Sequence, residues 1–376
     1  MLEIDCDFPG GNICVDAIEG GTAQLRPDLR DTDREWFYWY FRVREANGRT
    51  IRFVFNAEVV GVRGPGVSLD GGRSWKWTGR DSADESSFTY SFPPEASDVR
   101  FSFGMPYTQS NLDAFLGAHA GNPYLRAGVL CHSRKGRAVE CLWLGRPEGE
   151  PEHRVLIAAR HHACEMVASY ALEGLMHAII SGDCGEWLRD RVEFLMVPFA
   201  DKDGVEDGDQ GKNRRPHDHG RDYAAPCIYP EVRALRELAR AWSAGKMRMA
   251  FDLHCPWIRG DTNEHIYFVG MPCEKTWDRV KLFSARLEAL RKGPLPYRAC
   301  KNLPFGQGWN TEADPPGAEP RTFSGWMTAI PGARFGVTLE IPYANAQGVA
   351  VTTQTARAFG RDLAMAIGDQ LTALSG

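Results

Sequence analysis

Polar and apolar residues follow two different periods along this chain, with a period of two early on and a helical period later. Thr50–Phe55 alternates polar and apolar. Residues 35–43 (EWFYWYFRV) are aromatic and β-branched, and residues 87–92 and 98–103 repeat the strand signature. Asp70-Gly71-Gly72 is a turn signal between Val67 and Trp75-Lys76-Trp77. Short strands at this spacing predict an antiparallel β-sandwich over residues 1–125. Its tryptophans and tyrosines read as core packing in preference to a sugar-binding face. A short helix over 110–116 and a hairpin over 124–146 lead onward. Strands are then expected at 154–159, 192–199, 248–254, 266–269 and 334–341. Helices are expected at 166–180, 229–244, 274–291 and 353–374. This alternation predicts an α/β domain over residues 126–376, with a mixed central sheet covered on both faces. Two stretches, 201–226 and 300–331, show neither period. Irregular loops of that length inside a compact domain are usually functional.

Composition narrows the field. The 376 residues leave room for two domains, and the net charge of -5 gives no reason to expect a nucleic-acid partner. No apolar run is long enough to span a membrane. The opening residues lack the basic-then-apolar pattern of a signal peptide. Ten scattered cysteines without a CxxC pair suit reduced thiols in the cytoplasm. Cys164 and Cys255 lie beside residues of interest, and small buried filler is the expected role for both.

The chemistry starts at Arg160-His161-His162-Ala163-Cys164-Glu165, between an apolar strand and a helix. His162 and Glu165, three apart at a strand-to-helix turn, are able to converge on one metal ion. A pair of this kind is common on helix surfaces, so the rest of the site has to come from elsewhere. Met249-Ala250-Phe251-Asp252-Leu253 ends in His254, at the carboxyl end of a sheet strand where α/β sheets place ligands. Gly336-Val337-Thr338-Leu339-Glu340 carries one acid in a β-branched strand, and burying such an acid is costly unless it has work or a partner. Glu340 is therefore the expected general base. The loop over residues 201–223 is dense in charge. Arg221 or Arg214 suits a carboxylate clamp. Solvated loop, a calcium site among Asp201–Asp209, and a metal pair at His217 and His219 are the competing readings.

These features, in this order, resemble the M14 zinc metallocarboxypeptidases, and most closely the cytosolic carboxypeptidase subfamily. Phe8-Pro9-Gly10-Gly11-Asn12, residues 31–43, residues 88–92 and Pro106-Tyr107-Thr108-Gln109-Ser110-Asn111-Leu112 resemble that subfamily's N-terminal sandwich. The resemblance implies one Zn2+ per chain held by His162, Glu165 and His254, and Glu340 as catalytic base toward a water activated by the metal. It implies Asp218 behind a zinc histidine, Arg221 on the substrate's terminal carboxylate and Arg214 polarising the scissile carbonyl, with Arg215 and Lys212 as alternatives for Arg214. Gly220 stands where the family has an Asn. The implied activity is hydrolysis of a C-terminal peptide or isopeptide bond, with the peptide C-terminus as partner. Two rivals are an aspartoacylase-like zinc amidohydrolase and a non-catalytic protein that kept its metal. Tyr343 is near Glu340 in sequence only.

Overall fold

The computed structural model describes residues 2–146 and 149–375, so Met1 and Gly376, the ends of the expected domains, lie outside it. Nine strands come first: β1 (Glu3–Asp5), β2 (Cys14–Glu19), β3 (Thr22–Arg26), β4 (Tyr40–Arg44), β5 (Thr50–Phe55), β6 (Gly66–Ser68), β7 (Lys76–Trp77), β8 (Ser87–Ser91) and β9 (Val99–Ser102). They form a five-stranded antiparallel sheet, β1-β4-β9-β6-β7, and a four-stranded sheet, β2-β3-β5-β8. The four-stranded sheet is not wholly antiparallel, because β3 pairs with β5 in parallel. Trp39, Phe41, Phe53, Phe88 and Phe101 are buried and pack ring against ring. Core packing is thus the role of these aromatics. Each fully buried aromatic contributes about 1.5–3 kcal/mol over leaving it exposed.

The strand expected at 35–43 begins only at Tyr40. Before it the backbone bonds to a side chain in place of a strand: Gln210 Oε1 accepts from Tyr38 N at 2.8 Å, and Gln210 Nε2 donates to Tyr38 O at 2.9 Å.

Helix α1 (Gln109–Ala118) leads to the second sheet, whose strands are β10 (Leu125–His132), β11 (Ala138–Gly145), β12 (His153–Ala159), β13 (Val192–Val197), β14 (Met247–His254), β15 (Tyr267–Phe268) and β16 (Phe335–Glu340). Their order is β10-β11-β13-β12-β14-β16-β15. The central four run parallel, and β10, β11 and β15 close the edges antiparallel, which makes the sheet mixed. The interleaved helices are α2 (Met166–Ser181), α3 (Glu186–Arg191), α4 (Lys202–Asp207), α5 (Pro230–Ser243), α6 (Glu274–Leu290), α7 (Phe323–Thr328) and α8 (Thr353–Ser375). Helices α4 and α7 give structure to the two aperiodic stretches. Glycines let α2 and α8 touch. A Cβ on Gly360 would lie 1.8 Å from Ala171 O, and one on Gly174 would lie 2.0 Å from Arg357 O.

The sandwich and the second sheet share one hydrophobic core. It runs through Phe37 and Phe103, against Tyr343 at ring separations of 5.5 and 4.9 Å, and on to Met166. Polar bonds reinforce the contact: Arg63 Nη2 donates to Asn345 Oδ1 at 2.8 Å, and Trp77 Nε1 to Val351 O at 2.7 Å. Among the described residues no helix is long and apolar enough to cross a membrane.

Candidate metal and active site

Three adjacent parallel strands, β12, β14 and β16, end on the same side of the sheet, and each ends in chemistry. His254 closes β14 and is the register partner of Glu340, which closes β16. Beyond β12 the chain turns sharply at Arg160, whose φ of 63° is uncommon outside glycine. The buried Arg160 side chain fixes that turn. Its guanidinium donates to Tyr107 O at 2.8 Å, to Ser169 Oγ at 3.1 Å and through Nε to Ala163 O at 3.0 Å. Tyr107 belongs to the Pro106–Leu112 phrase, so the sandwich end braces the turn that carries His162 and Glu165. Gly211 packs on the same turn, where a Cβ would fall 2.1 Å from Ala163 N.

The turn brings His162 Nδ1 to 2.9 Å from Glu165 Oε1, and β14 brings His254 Nδ1 to 2.6 Å from Glu165 Oε2. The two imidazole Nδ1 atoms stand 3.1 Å apart. All three side chains are buried, and one ligand atom from each lies within 4.8 Å of the others. Two nitrogens and a carboxylate oxygen facing one point, with a fourth side open to a cavity, are the donor set zinc takes at a catalytic site. Against the upward push of burial, His162 and His254 hold Glu165 well below the usual carboxylate range, so it stays anionic.

His254 is held from behind. His254 Nε2 lies 2.8 Å from Asp252 Oδ2, on the ring side opposite Nδ1. The other Asp252 oxygen accepts from His161 Nδ1 at 2.7 Å, and His161 Nε2 lies 2.8 Å from Tyr223 OH. His161, Asp252 and His254 also lie close enough together to hold a cation. Their contacts form a chain in which each nitrogen has its own oxygen, whereas the atoms of the His162 cluster converge. Burial pushes Asp252 up, but His161 and His254 overcome it and keep it charged. Behind His162, Asp218 Oδ1 lies 3.6 Å from Nε2, beyond hydrogen-bond length, and this oxygen has no hydrogen bond among the described residues. Gly220 stands beside them. A Cβ there would press on His162 Nε2 at 3.1 Å and on Asp218 Oδ1 at 3.3 Å, so an Asn at 220 would have to displace this pair.

Glu340 is buried, and its Oε2 has no hydrogen-bond partner among the described residues. Burial, helped by the charge of Glu165 and opposed by His254, raises its pKa to about 7. It lines a cavity of about 180 Å³ together with His162, His254, Lys212 and Arg221. Arg221 is exposed, and its guanidinium has no hydrogen bond or ion pair among the described residues.

Arg214 is not brought to this cluster. Its guanidinium is held by Asp201 at 2.6 Å, Asp209 at 2.8 Å and Asp31 at 2.9 Å, and it does not line the cavity. Arg215 points to Asp33. Lys212 is the loop cation at the site, with Nζ 3.2 Å from His162 Nδ1 and 3.8 Å from Glu165 Oε1. The competing readings of the loop find other partners. His217 bonds Asp222 at 2.7 Å and His219 stacks on Tyr229. Asp203 and Asp207 bond Arg137. Tyr343 and Cys164 belong to the core and stand outside both clusters that could hold a metal. Asp252, His161, Tyr223 and Lys212 are the site residues that spacing alone does not single out. The one signal for Asp252 is its position two residues before His254, on the same face of β14.

Residues 120–229 match the family model described as zinc carboxypeptidase, Peptidase_M14. This stretch is similar to a zinc carboxypeptidase domain. Mouse cytosolic carboxypeptidase 2 is 26% identical to it over 282 residues, covering 63% of this chain and 32% of the mouse protein. Bovine cytosolic carboxypeptidase 3 is 24% identical over 230 residues, covering 57% of this chain and 23% of the bovine protein. The chain thus spans a third or less of the length of these relatives. A metallo-carboxypeptidase from Burkholderia cenocepacia has the same fold, with a TM-score of 0.80, 23% identity and 99% of each chain covered. One from Pseudomonas aeruginosa aligns with a TM-score of 0.78 at 18% identity, over 99% of this chain and 100% of that one. The match to these whole chains extends the likeness in fold to the sandwich that precedes residues 120–229.

Proposed function

We propose that the chain is a zinc-dependent metallocarboxypeptidase that hydrolyses the last peptide or isopeptide bond of its substrate, with residues 1–125 as its sandwich domain and 126–376 as its catalytic domain. The observation that carries this reading is the convergence of His162, Glu165 and His254 beside an unpartnered Glu340, at a cavity that also holds an unpaired arginine. One zinc per chain would be held by those three side chains, where it supplies Lewis acidity toward the carbonyl and lowers the pKa of water. Glu340 takes the proton of the attacking water and returns it to the leaving amine. A carboxyl whose Oε2 has no other hydrogen-bond partner among the described residues is free for both transfers. Lys212, in place of Arg214, supplies the cation beside the scissile carbonyl. Arg221 pairs with the terminal carboxylate, and Asp218 supports His162. The unpaired cysteines and the cytosolic relatives support a cytoplasmic setting.

The test is elemental analysis of protein prepared without chelator, combined with a peptide library offered both as free acids and as C-terminal amides. Close to one zinc per chain and release of single C-terminal amino acids from the free acids are expected. Release of acyl groups from N-acyl amino acids with no peptide cleavage would favour the amidohydrolase. Zinc without turnover on either class would favour a binding protein.

A further inference from the structure

A second cavity, of about 600 Å³, adjoins the first and shares Lys212, Arg221, Trp309 and Glu340 with it. Its remaining wall brings together parts of the chain far apart in sequence. Arg34, Glu35 and Trp36 come from the segment before β4, and Trp257 follows His254 by three residues. Three indoles therefore face one space. Trp257 is 43% exposed and Trp309 53% exposed, and they are the only aromatic side chains among the large exposed apolar residues described. Trp36 is half-buried and meets Trp257 edge to face at 4.8 Å. Exposed indoles grouped at the mouth of a cavity mark a surface that becomes covered when something binds.

The two cavities differ in what they can hold. The residue that ends a peptide has no chain to continue, and the smaller cavity, which both histidines line, has room for one side chain. The residues before the scissile bond belong to a continuing chain, so their path has to reach solvent. The larger cavity, rimmed by Trp257 and Trp309, provides it. Its charges do not discriminate, because Arg34, Lys212 and Arg221 face Glu35, Glu312 and Glu340, three cations against three acids. With the field balanced, selection falls to the indoles.

Building on the carboxypeptidase reading, we propose that this cavity is a subsite for the residue preceding the scissile bond, and that Trp36, Trp257 and Trp309 select an aromatic side chain there. The sandwich then contributes to specificity through Trp36. The peptide enters with its last residue in the small cavity and its penultimate ring against the indole faces, edge to face or offset.

The test uses the zinc-loaded full chain and two N-acylated tripeptides that differ only in Ala or Phe at the penultimate position. The parent is expected to favour Phe by about tenfold or more in kcat/KM. Trp257→Ala is expected to bring that ratio toward one, with folding checked by circular dichroism. Trp309→Ala carries the same expectation and serves if Trp257→Ala does not fold. Equal kcat/KM for both peptides in a parent that cleaves them overturns the subsite and leaves the carboxypeptidase reading standing. A ratio unchanged in both folded variants overturns the subsite as well. If the parent cleaves neither peptide, the peptide library decides the carboxypeptidase reading, and calorimetric binding of the two peptides decides the subsite separately. Tighter binding of the Phe peptide, weakened by Trp257→Ala, supports it, and equal affinities overturn it.

Discussion

Lys212 and Arg214 stand two residues apart and meet opposite environments, which lets substitution separate their roles. Lys212 reaches His162 and Glu165, whereas Arg214 is enclosed by three carboxylates. Lys212→Ala is expected to lower kcat by about 10²-fold or more without changing the melting temperature, the size of effect seen when a donor to a developing oxyanion is removed. Arg214→Ala is expected to destabilise the protein by about 3–5 kcal/mol, because it leaves largely buried carboxylates uncompensated. Thermal melts alongside steady-state kinetics check both. Asp252 acts at the same scale. Replacing it with Asn removes the charge that fixes His254 and His161, and zinc affinity should fall about 10–100-fold in chelator competition. His162, Glu165, His254 and Glu340 are legible in the sequence because each follows or ends an apolar strand, a position that has meaning without coordinates. Lys212 is not legible, because the loop over 201–226 has no period. Nothing in the order Lys212-Asn213-Arg214-Arg215 tells which cation turns inward to the acids and which turns to the site.

Periodicity places the elements of the second sheet well, since buried parallel strands and amphipathic helices leave strong patterns. Helix α5 (Pro230–Ser243) buries Val232, Leu235 and Ala239 on one face, as helical spacing requires. The misses have local causes. Strand β2 is half-buried or exposed throughout, so it shows no alternation to read. The segment before β4 has the composition of a strand, but its backbone partner is the Gln210 side chain, 172 residues away. The crossing of α2 with α8 is equally invisible to pattern, because its cause is the absence of side chains at Gly174 and Gly360. Gly360→Ala is expected to cost at least about 2 kcal/mol, since a backbone carbonyl occupies the space of the new methyl group and overpacking of this kind forces a helix to shift. Chemical denaturation against the parent measures it.

At the level of the whole molecule, the buried Glu340 makes stability depend on pH. Its pKa rises from 4.5 to about 7 in the folded chain, mainly through burial. A carboxyl raised on folding adds stability that is fully present below its unfolded pKa and is lost as pH rises through the folded one. Metal-free protein should therefore lose stability between about pH 4.5 and 7, and Glu340→Gln should flatten that part of the curve in melts across pH. A bound dication favours the carboxylate, so zinc should shift the loss to lower pH. The core that joins the sandwich to the second sheet has a different kind of consequence. Phe37, Phe103, Met166 and Tyr343 form one seam of contact. A lineage that shed the first hundred residues would have to replace the greasy flank left on the remaining half. The two parts are therefore expected to fold only together, and an insertion to be tolerated in the surface loops and not along the seam.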